Sequence, residues 1–400
     1  VLPLPPITPL SWPEQPGDLP RDLPDRDALD RRLANEFPSA QGPLSGIQGG
    51  RQAAESQLQR MEAKRYGRSR NHLKGAVTRL SPWIRHGVLT LAEIREAVFA
   101  QLRDRGQGRD DGSKLINELG WRDFWQRMWG DLGDGIHESQ EELKTGHDPS
   151  SYSRELPDDV REGRTGLACM DGFSEELVSS GWLHNHARMW MAAYLVHWRR
   201  VHWKAGADWF LEHLLDGDPA SNHLSWQWVA SCFSHKPYVF NRGNLERYSD
   251  GRYCESCPSA DTCPFEGSYD QLESQLFAPQ PAIRDVPAGA ETETPEAVPA
   301  PPSPDRSAEP PIPKPPHPMP FQHPILWIHE EALGPYNPAR LAWPDAPALF
   351  VFDTQWIENA GISRKRLGFL YESALECAVT LRKGDVAAEV ISFAQRHQAD

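Results

Sequence analysis

The chain has 400 residues, a formal net charge of −14 and a hydrophobic fraction of 39%, which fits two or three folded domains. No apolar run reaches the roughly 18 residues of a membrane span, and the opening VLPLPPITPL has neither a basic stretch nor a clean apolar core, so no membrane association and no signal peptide are expected and a cytoplasmic protein is. The acidic total argues against a nucleic-acid partner, but residues 51–127 carry nearly twice as many Lys and Arg as Asp and Glu, and local basic surface is what phosphate contact requires; a solvated helical face accounts for the same bias.

In chain order, residues 1–46 are rich in Pro and acidic side chains with little periodicity, which predicts an extended or disordered arm. Residues 47–277 read as a mostly helical domain, with amphipathic helices over Arg51–Tyr66, Leu91–Arg103, Leu115–Trp129, Ser174–Ser180 and His184–Val201. Residues 278–320 are a Pro-rich linker, polyproline-like and semi-rigid. Residues 321–400 change character. ILWIH and ALFVFD are short apolar runs of the kind found in parallel sheets. SRKRLGFLYESALECAV reads as a helix leading to a strand, and VAAEVISFAQRHQAD as another helix. The predicted fold class is therefore mostly α: one all-helical domain, then a small partial α/β (βαβ) module after the linker.

Thr165 to Ser231 places Asn185, Arg188, Asp216, Asp218 and Asn222 among Trp182, Trp203, Trp226 and Trp228. A generic helical core does not ask for two aspartates, two asparagines and an arginine, because buried charge is costly unless paired or bound to a ligand. Singly, each signal has a plain reading: Glu118 and Arg122 are spaced i,i+4 as in a surface salt bridge, and DGDPASN is a capped helix start. In order, the four pieces YGRSRNHLKGAVTRLSP (66–82), NELGWRDFW (117–125), WLHNHARM (182–189) and DGDPASN (216–222) resemble the FAD-binding domain of the photolyase/cryptochrome family, in particular its branch acting on cyclobutane pyrimidine dimers.

The resemblance runs from about Gly49 to Tyr248 and implies FAD as cofactor. Tyr66, Thr78, Leu80 and Ser81 fall in the piece that holds the FAD pyrophosphate, where small hydroxyls and backbone N–H groups suit phosphate oxygens; Val77 stands where that pattern has a further Thr. By the same resemblance Arg122 holds FAD phosphate, Asn185 and Arg188 line the flavin with Arg188 paired to Asp216, Asp216 and Asp218 accept hydrogen bonds from flavin and ribityl, and Asn222 sits at flavin N5. Glu118, which also counts among the FAD contacts, forms a dimer pocket with Trp121, Met189 and Trp228. Trp226 and Trp203 match the inner members of a photoreducing tryptophan chain whose outer position carries no Trp here, leaving Tyr152 or Trp198 as substitutes. The implied activity is that of a deoxyribodipyrimidine photo-lyase, a carbon–carbon lyase that splits the dimer in UV-damaged DNA by electron transfer from excited FADH⁻. The alternative is a cryptochrome-like blue-light photoreceptor without repair activity.

Two features stand apart. YCESCPSADTCPF sets Cys254, Cys257 and Cys263 at C-x2-C-x5-C, which favours a [4Fe–4S] cluster, with zinc or plain reduced thiols as alternatives; Cys232 is the expected fourth ligand, ahead of Cys169 and Cys377. Residues 321–400 resemble the first half of the family's antenna domain, with HEEALGP in place of its Arg-rich start. An antenna-chromophore site is therefore not expected from this chain alone, and a second chain completing the domain is one reading.

Overall fold

The computed structural model of the chain describes residues 3–278 and 322–399; beyond Ala278 the expected linker lies outside the described residues. The described architecture is mostly helical with one three-stranded parallel sheet.

The N-terminal segment differs from the arm expected over 1–46. From Thr8, whose N–H donates to the Leu375 carbonyl at 2.9 Å, it is pinned to the C-terminal module. Helix α1 (Arg26–Glu36) is capped by the Asp25 carboxylate and buries Leu29 and Leu33. Before it, the Trp12 indole N–H donates to Thr380 Oγ1 at 2.8 Å, and the Leu19 N–H to the Leu381 carbonyl at 2.7 Å. The buried Arg21 guanidinium donates to the carbonyls of Leu375, Cys377 and Val379 at 2.8, 3.0 and 2.6 Å. All these partners lie over 350 residues downstream, so no local periodicity announces them.

Helices α2 (Arg51–Gln59), α3 (Ala63–Ser69), α4 (Ser81–Arg85), α5 (Leu91–Asp104) and α6 (Ser113–Leu132) follow. The single helix expected over Arg51–Tyr66 is broken between α2 and α3. There the Gln101 amide donates to the Met61 carbonyl and its oxygen accepts the Ala63 N–H at 2.9 Å, replacing the helical bonds lost at the break. Next come α7 (Asp158–Arg161), α8 (Ala168–Ser180), α9 (Asn185–Ala193), α10 (Trp203–His213), α11 (Pro219–Ala230), α12 (Arg242–Ser249) and α13 (Tyr269–Leu276). The helix expected over His184–Val201 closes earlier, passing from α9 into a wide π turn over Tyr194–Trp198.

The C-terminal module has the expected alternation: β1 (Leu326–Trp327), α14 (Pro338–Ala342), β2 (Ala348–Asp353), α15 (Thr354–Asn359), α16 (Arg364–Leu375), β3 (Thr380–Gly384) and α17 (Val386–Arg396). The sheet order is β1-β2-β3, all parallel, with Trp327 opposite Leu349 and Leu349 opposite Thr380. Every residue of α16 after Arg364 is buried, including Lys365, Arg366 and Glu372. A helix buried all round marks the centre of a core rather than its edge.

Of the two large cores among the described residues, the first cuts across the expected domain boundaries. One joins Leu29 and Phe37, the apolar faces of α4 and α5 (Trp83, Ile94, Val98) and the sheet and α16 (Phe350, Phe369, Tyr371). The other holds α8 to α12, packed on Phe173, Trp190, Trp203, Phe210, Trp226 and Phe240. The module at 321–400 is thus part of one body with the N-terminal third, and the single domain expected over 47–277 contributes to both cores.

Candidate functional site

The polar set converges where α6, the start of α9 and the loop from α10 into α11 meet. Arg188 donates both to the Leu183 carbonyl at 2.8 Å and, through Nη2, to Asp216 at 2.7 and 3.0 Å. Asp216 is 7% exposed and Asp218 2%. Asp218 caps α11, accepting the Ser221 N–H at 2.8 Å and its hydroxyl at 2.5 Å. It also takes the Gln126 amide at 2.7 Å, and Arg122 stands 3.3 Å away. Burial pushes the Asp218 carboxyl up, but Arg122, Arg85 and the Ser221 bonds more than offset this and hold it below the usual carboxylate range. The capping reading of DGDPASN and the buried-charge reading are therefore both realised, on the same carboxylate.

Helix α6 does not form the Glu118–Arg122 bridge that the spacing allows. Glu118 pairs instead with Arg70 at 3.1 Å and Lys114 at 3.0 Å, while Arg122 faces Asp218. Tyr66 lies beside this cluster, its phenol pushed up to about 12 by burial and then by the Glu118 charge. Trp121 is 50% exposed and stacks on Trp125 at 5.8 Å; Trp228 is 41% exposed, against Tyr238 at 5.7 Å. Exposed tryptophans on a site's rim are surfaces that flat bases stack on. The Met189 sulfur accepts from the Asn185 amide at 3.5 Å.

The turn before α4 closes another side. The Trp182 indole N–H donates to Ser81 Oγ at 3.3 Å, and the Thr78 hydroxyl accepts the Leu80 N–H at 3.4 Å. Between them Arg79 adopts a φ of 55°, in the left-handed region a side chain rarely enters, and lays its guanidinium over the Trp182 ring at 4.3 Å. His184, adjacent, is buried with no hydrogen-bond partner at Nε2, and burial holds its pKa down to about 4. A buried neutral imidazole with a vacant polar atom, beside a paired Arg188–Asp216, fits a heteroaromatic ligand with its own donors and acceptors.

The half-buried Asn222 donates one amide hydrogen to the Ala207 carbonyl at 2.9 Å. Trp226 packs edge to face on Phe210 at 4.9 Å, and Trp203 donates to Ser139 Oγ at 2.9 Å. A Cβ on Gly206 would stand 2.3 Å from the Trp226 ring, so glycine is what admits this indole. Tyr152 lies in the segment paired with Arg200 and His202, just before Trp203, and Trp198 packs on Phe240 and Phe265.

The cysteines require a correction. Cys232 is fully buried at the end of α11 with its thiol on Gln227, at 3.7 Å from the backbone oxygen, and does not line the cavity of the other three. Cys169, on α8, does: with Cys254, Cys257 and Cys263 it lines one small cavity walled by Leu167, Leu245 and Phe265. Sequence proximity favours Cys232, but α11 carries it to the far side of its helix end. Burial pushes the Cys254 thiol up to about 11 and raises Cys169 and Cys263 as well. Among the described residues no three His, Cys, Asp or Glu side chains stand together as a ready metal-binding group.

Sequence reasoning also missed Arg70, Gln126 and Arg85. Gln126 alone had a local signal, one helical turn beyond Arg122.

Residues 115–253 match the family model for the FAD-binding domain of DNA photolyase. The chain is 34% identical over 210 residues to a deoxyribodipyrimidine photo-lyase of Streptomyces griseus, covering 52% of this chain and 42% of that protein. It is 31% identical over 175 residues to a chloroplastic/mitochondrial cryptochrome DASH of Oryza sativa, covering 42% of this chain and 29% of that protein. The chain spans about half the length, or less, of the curated relatives it matches. Among solved structures, a bacterial class III photolyase from Agrobacterium tumefaciens aligns with a TM-score of 0.47 at 25% identity, over 63% of this chain and 53% of that one. No helix among the described residues is long and apolar enough to cross a membrane.

Proposed function

We propose that this chain, which belongs to the photolyase/cryptochrome family, is a light-driven DNA repair flavoprotein acting on cyclobutane pyrimidine dimers. The observation that carries the reading is the pair of buried carboxylates, Asp216 and Asp218, each facing a guanidinium across a site with an unpartnered His184 Nε2. FAD, when bound and photoexcited in its reduced form, supplies the electron that opens the dimer.

The chain's own residues do the rest. Arg188, fixed by Asp216, would hold a positive charge at the flavin site and favour an anionic reduced flavin. Arg122 holds phosphate, as the hydroxyls of Thr78 and Ser81 do at the other end of the pyrophosphate turn. Asn185, exposed at the head of α9, and Asn222 offer amides to the flavin edge. Trp121 and Trp228 would offer flat walls to a flipped-out dimer, together with Met189, and the Glu118 carboxyl would be the hydrogen-bonding partner for the pyrimidine edges. Trp203 and Trp226, both buried, would supply electrons to the flavin when it is bound. The four-thiol cavity is proposed to take a soft-metal centre, [4Fe–4S] or zinc, with Cys169 in place of Cys232; the support is four cysteines, from α8 and from the loop beyond α12, around one apolar space. The damaged DNA strand is the proposed partner.

The test is to incubate the reduced protein with a dimer-containing oligonucleotide, in blue light and in darkness, and follow dimer loss. Light-dependent loss is expected. Bound flavin without dimer loss would transfer the proposal to the photoreceptor reading, which the likeness to a cryptochrome DASH keeps in view.

A further inference from the structure

The C-terminal module touches the flavin loop through charge. Arg85, at the end of α4, donates from Nε to the Gly217 carbonyl at 2.8 Å, and Arg366, on α16, donates to the same oxygen at 3.3 Å. Gly217 is the residue between Asp216 and Asp218. Both guanidiniums are only 3% exposed. One neutral carbonyl cannot compensate two buried cations. The compensation comes from the segment after β1: Glu330 accepts from Arg85 at 2.8 Å and from Arg366 at 3.4 and 3.5 Å, and Glu331 takes another nitrogen of Arg85. His86 bridges the same two segments, its ring nitrogens 2.9 Å from the Glu330 and Leu215 carbonyls. The approach is close: a Cβ on Gly87 would stand 2.1 Å from the Glu331 carbonyl, and one on Gly334 2.0 Å from that of Gly87.

These contacts give a role to the acidic HEEALGP that stands where the antenna-like pattern has arginines. We propose that Glu330 is a positioning residue for the flavin site: its carboxylate holds Arg85 and Arg366 together on the Gly217 carbonyl and so fixes the spacing of Asp216 and Asp218. The proposal rests on the flavin reading above. A neutral side chain at 330 leaves Arg85 with Glu331 but strips Arg366 of its carboxylate beside a like charge, which favours withdrawal of the Arg366 guanidinium and loosens the loop.

The test uses the full chain, with FAD titrated into flavin-free protein and the bound flavin's visible circular dichroism recorded beside a thermal melt. Glu330→Gln should bind FAD about tenfold or more weakly and alter the dichroism. Glu330→Asp, which keeps the charge on a shorter arm, should fall between Gln and the parent. A folded Glu330→Gln protein with parental affinity and dichroism overturns the proposal. If that variant does not fold, Glu330→Asp decides: affinity and dichroism equal to the parent's overturn it, and a few-fold loss with an unchanged melt supports it. A parent protein that takes up no FAD sinks the flavin reading, and this proposal with it.

Discussion

Asp218 does two separable jobs, and substitution can divide them. As N-cap of α11 it satisfies the Ser221 N–H, and as an anion it faces Arg122 and Arg85. Losing an N-cap costs about 1 kcal/mol. Removing one partner from a fully buried ion pair costs about 3–5 kcal/mol, but Arg122 is 21% exposed and Arg85 retains Glu330 and Glu331, so about 1–2 kcal/mol is the realistic charge contribution. Asn is as good an N-cap as Asp. Asp218→Asn should therefore destabilise the flavin-free protein by about 1–2 kcal/mol, and Asp218→Ala by about 2–3 kcal/mol. Urea unfolding of the two variants and the parent measures this. FAD titration measures the other job, where both variants should lose affinity alike, because both lose the charged acceptor. Equal destabilisation by Asn and Ala would refute the capping argument, and undiminished FAD affinity in both would remove Asp218 from the site.

Other expectations follow from single contacts. Gly206→Ala should displace the Trp226 indole, destabilise the fold by about 1–3 kcal/mol as overpacking does, and slow flavin photoreduction, read by transient absorption; an unchanged rate would dissociate Trp226 from electron supply. In anaerobically purified protein, Cys169→Ser should lower the iron and acid-labile sulfide, or the zinc, bound per chain, whereas Cys232→Ser should leave it unchanged; the reverse pattern would restore Cys232 as the ligand. Burial pushes the Glu330 carboxyl up, but Arg366 and Arg85 outweigh it and hold its pKa down to about 2 against an ordinary 4.5. With the folded value depressed, this carboxylate's contribution is present above pH about 4.5 and is lost as pH falls toward 2. Glu330→Gln should therefore flatten the acid limb of a stability-versus-pH curve, and an acid limb identical to the parent's would contradict the pairing.

The polar pieces were legible because each is a short motif whose members share one helix turn or one loop. WLHNHARM and DGDPASN place Arg188 and Asp216 where a single approach of two segments pairs them. The helical class and the βαβ alternation were equally local, since periodicity and apolar run length are written residue by residue. The sequence by itself thus determined which residues carry charge into an aromatic interior, and which segments are helices or strands. Tertiary structure alone decided who meets whom at long range. It turned Glu118 away from Arg122 toward Arg70 and swapped Cys232 for Cys169, because the exit direction of α11 and the packing of α8 set those distances. It folded a Pro-rich N-terminal segment onto α16 and β3, using Trp12, Leu19 and Arg21 as single anchors with no period to reveal them. It also brought Glu330 to Arg85, 245 residues apart. Hydrophobic pattern specifies a face to be covered but not its cover; a buried cation requires an anion, and only the completed fold says which one reaches it.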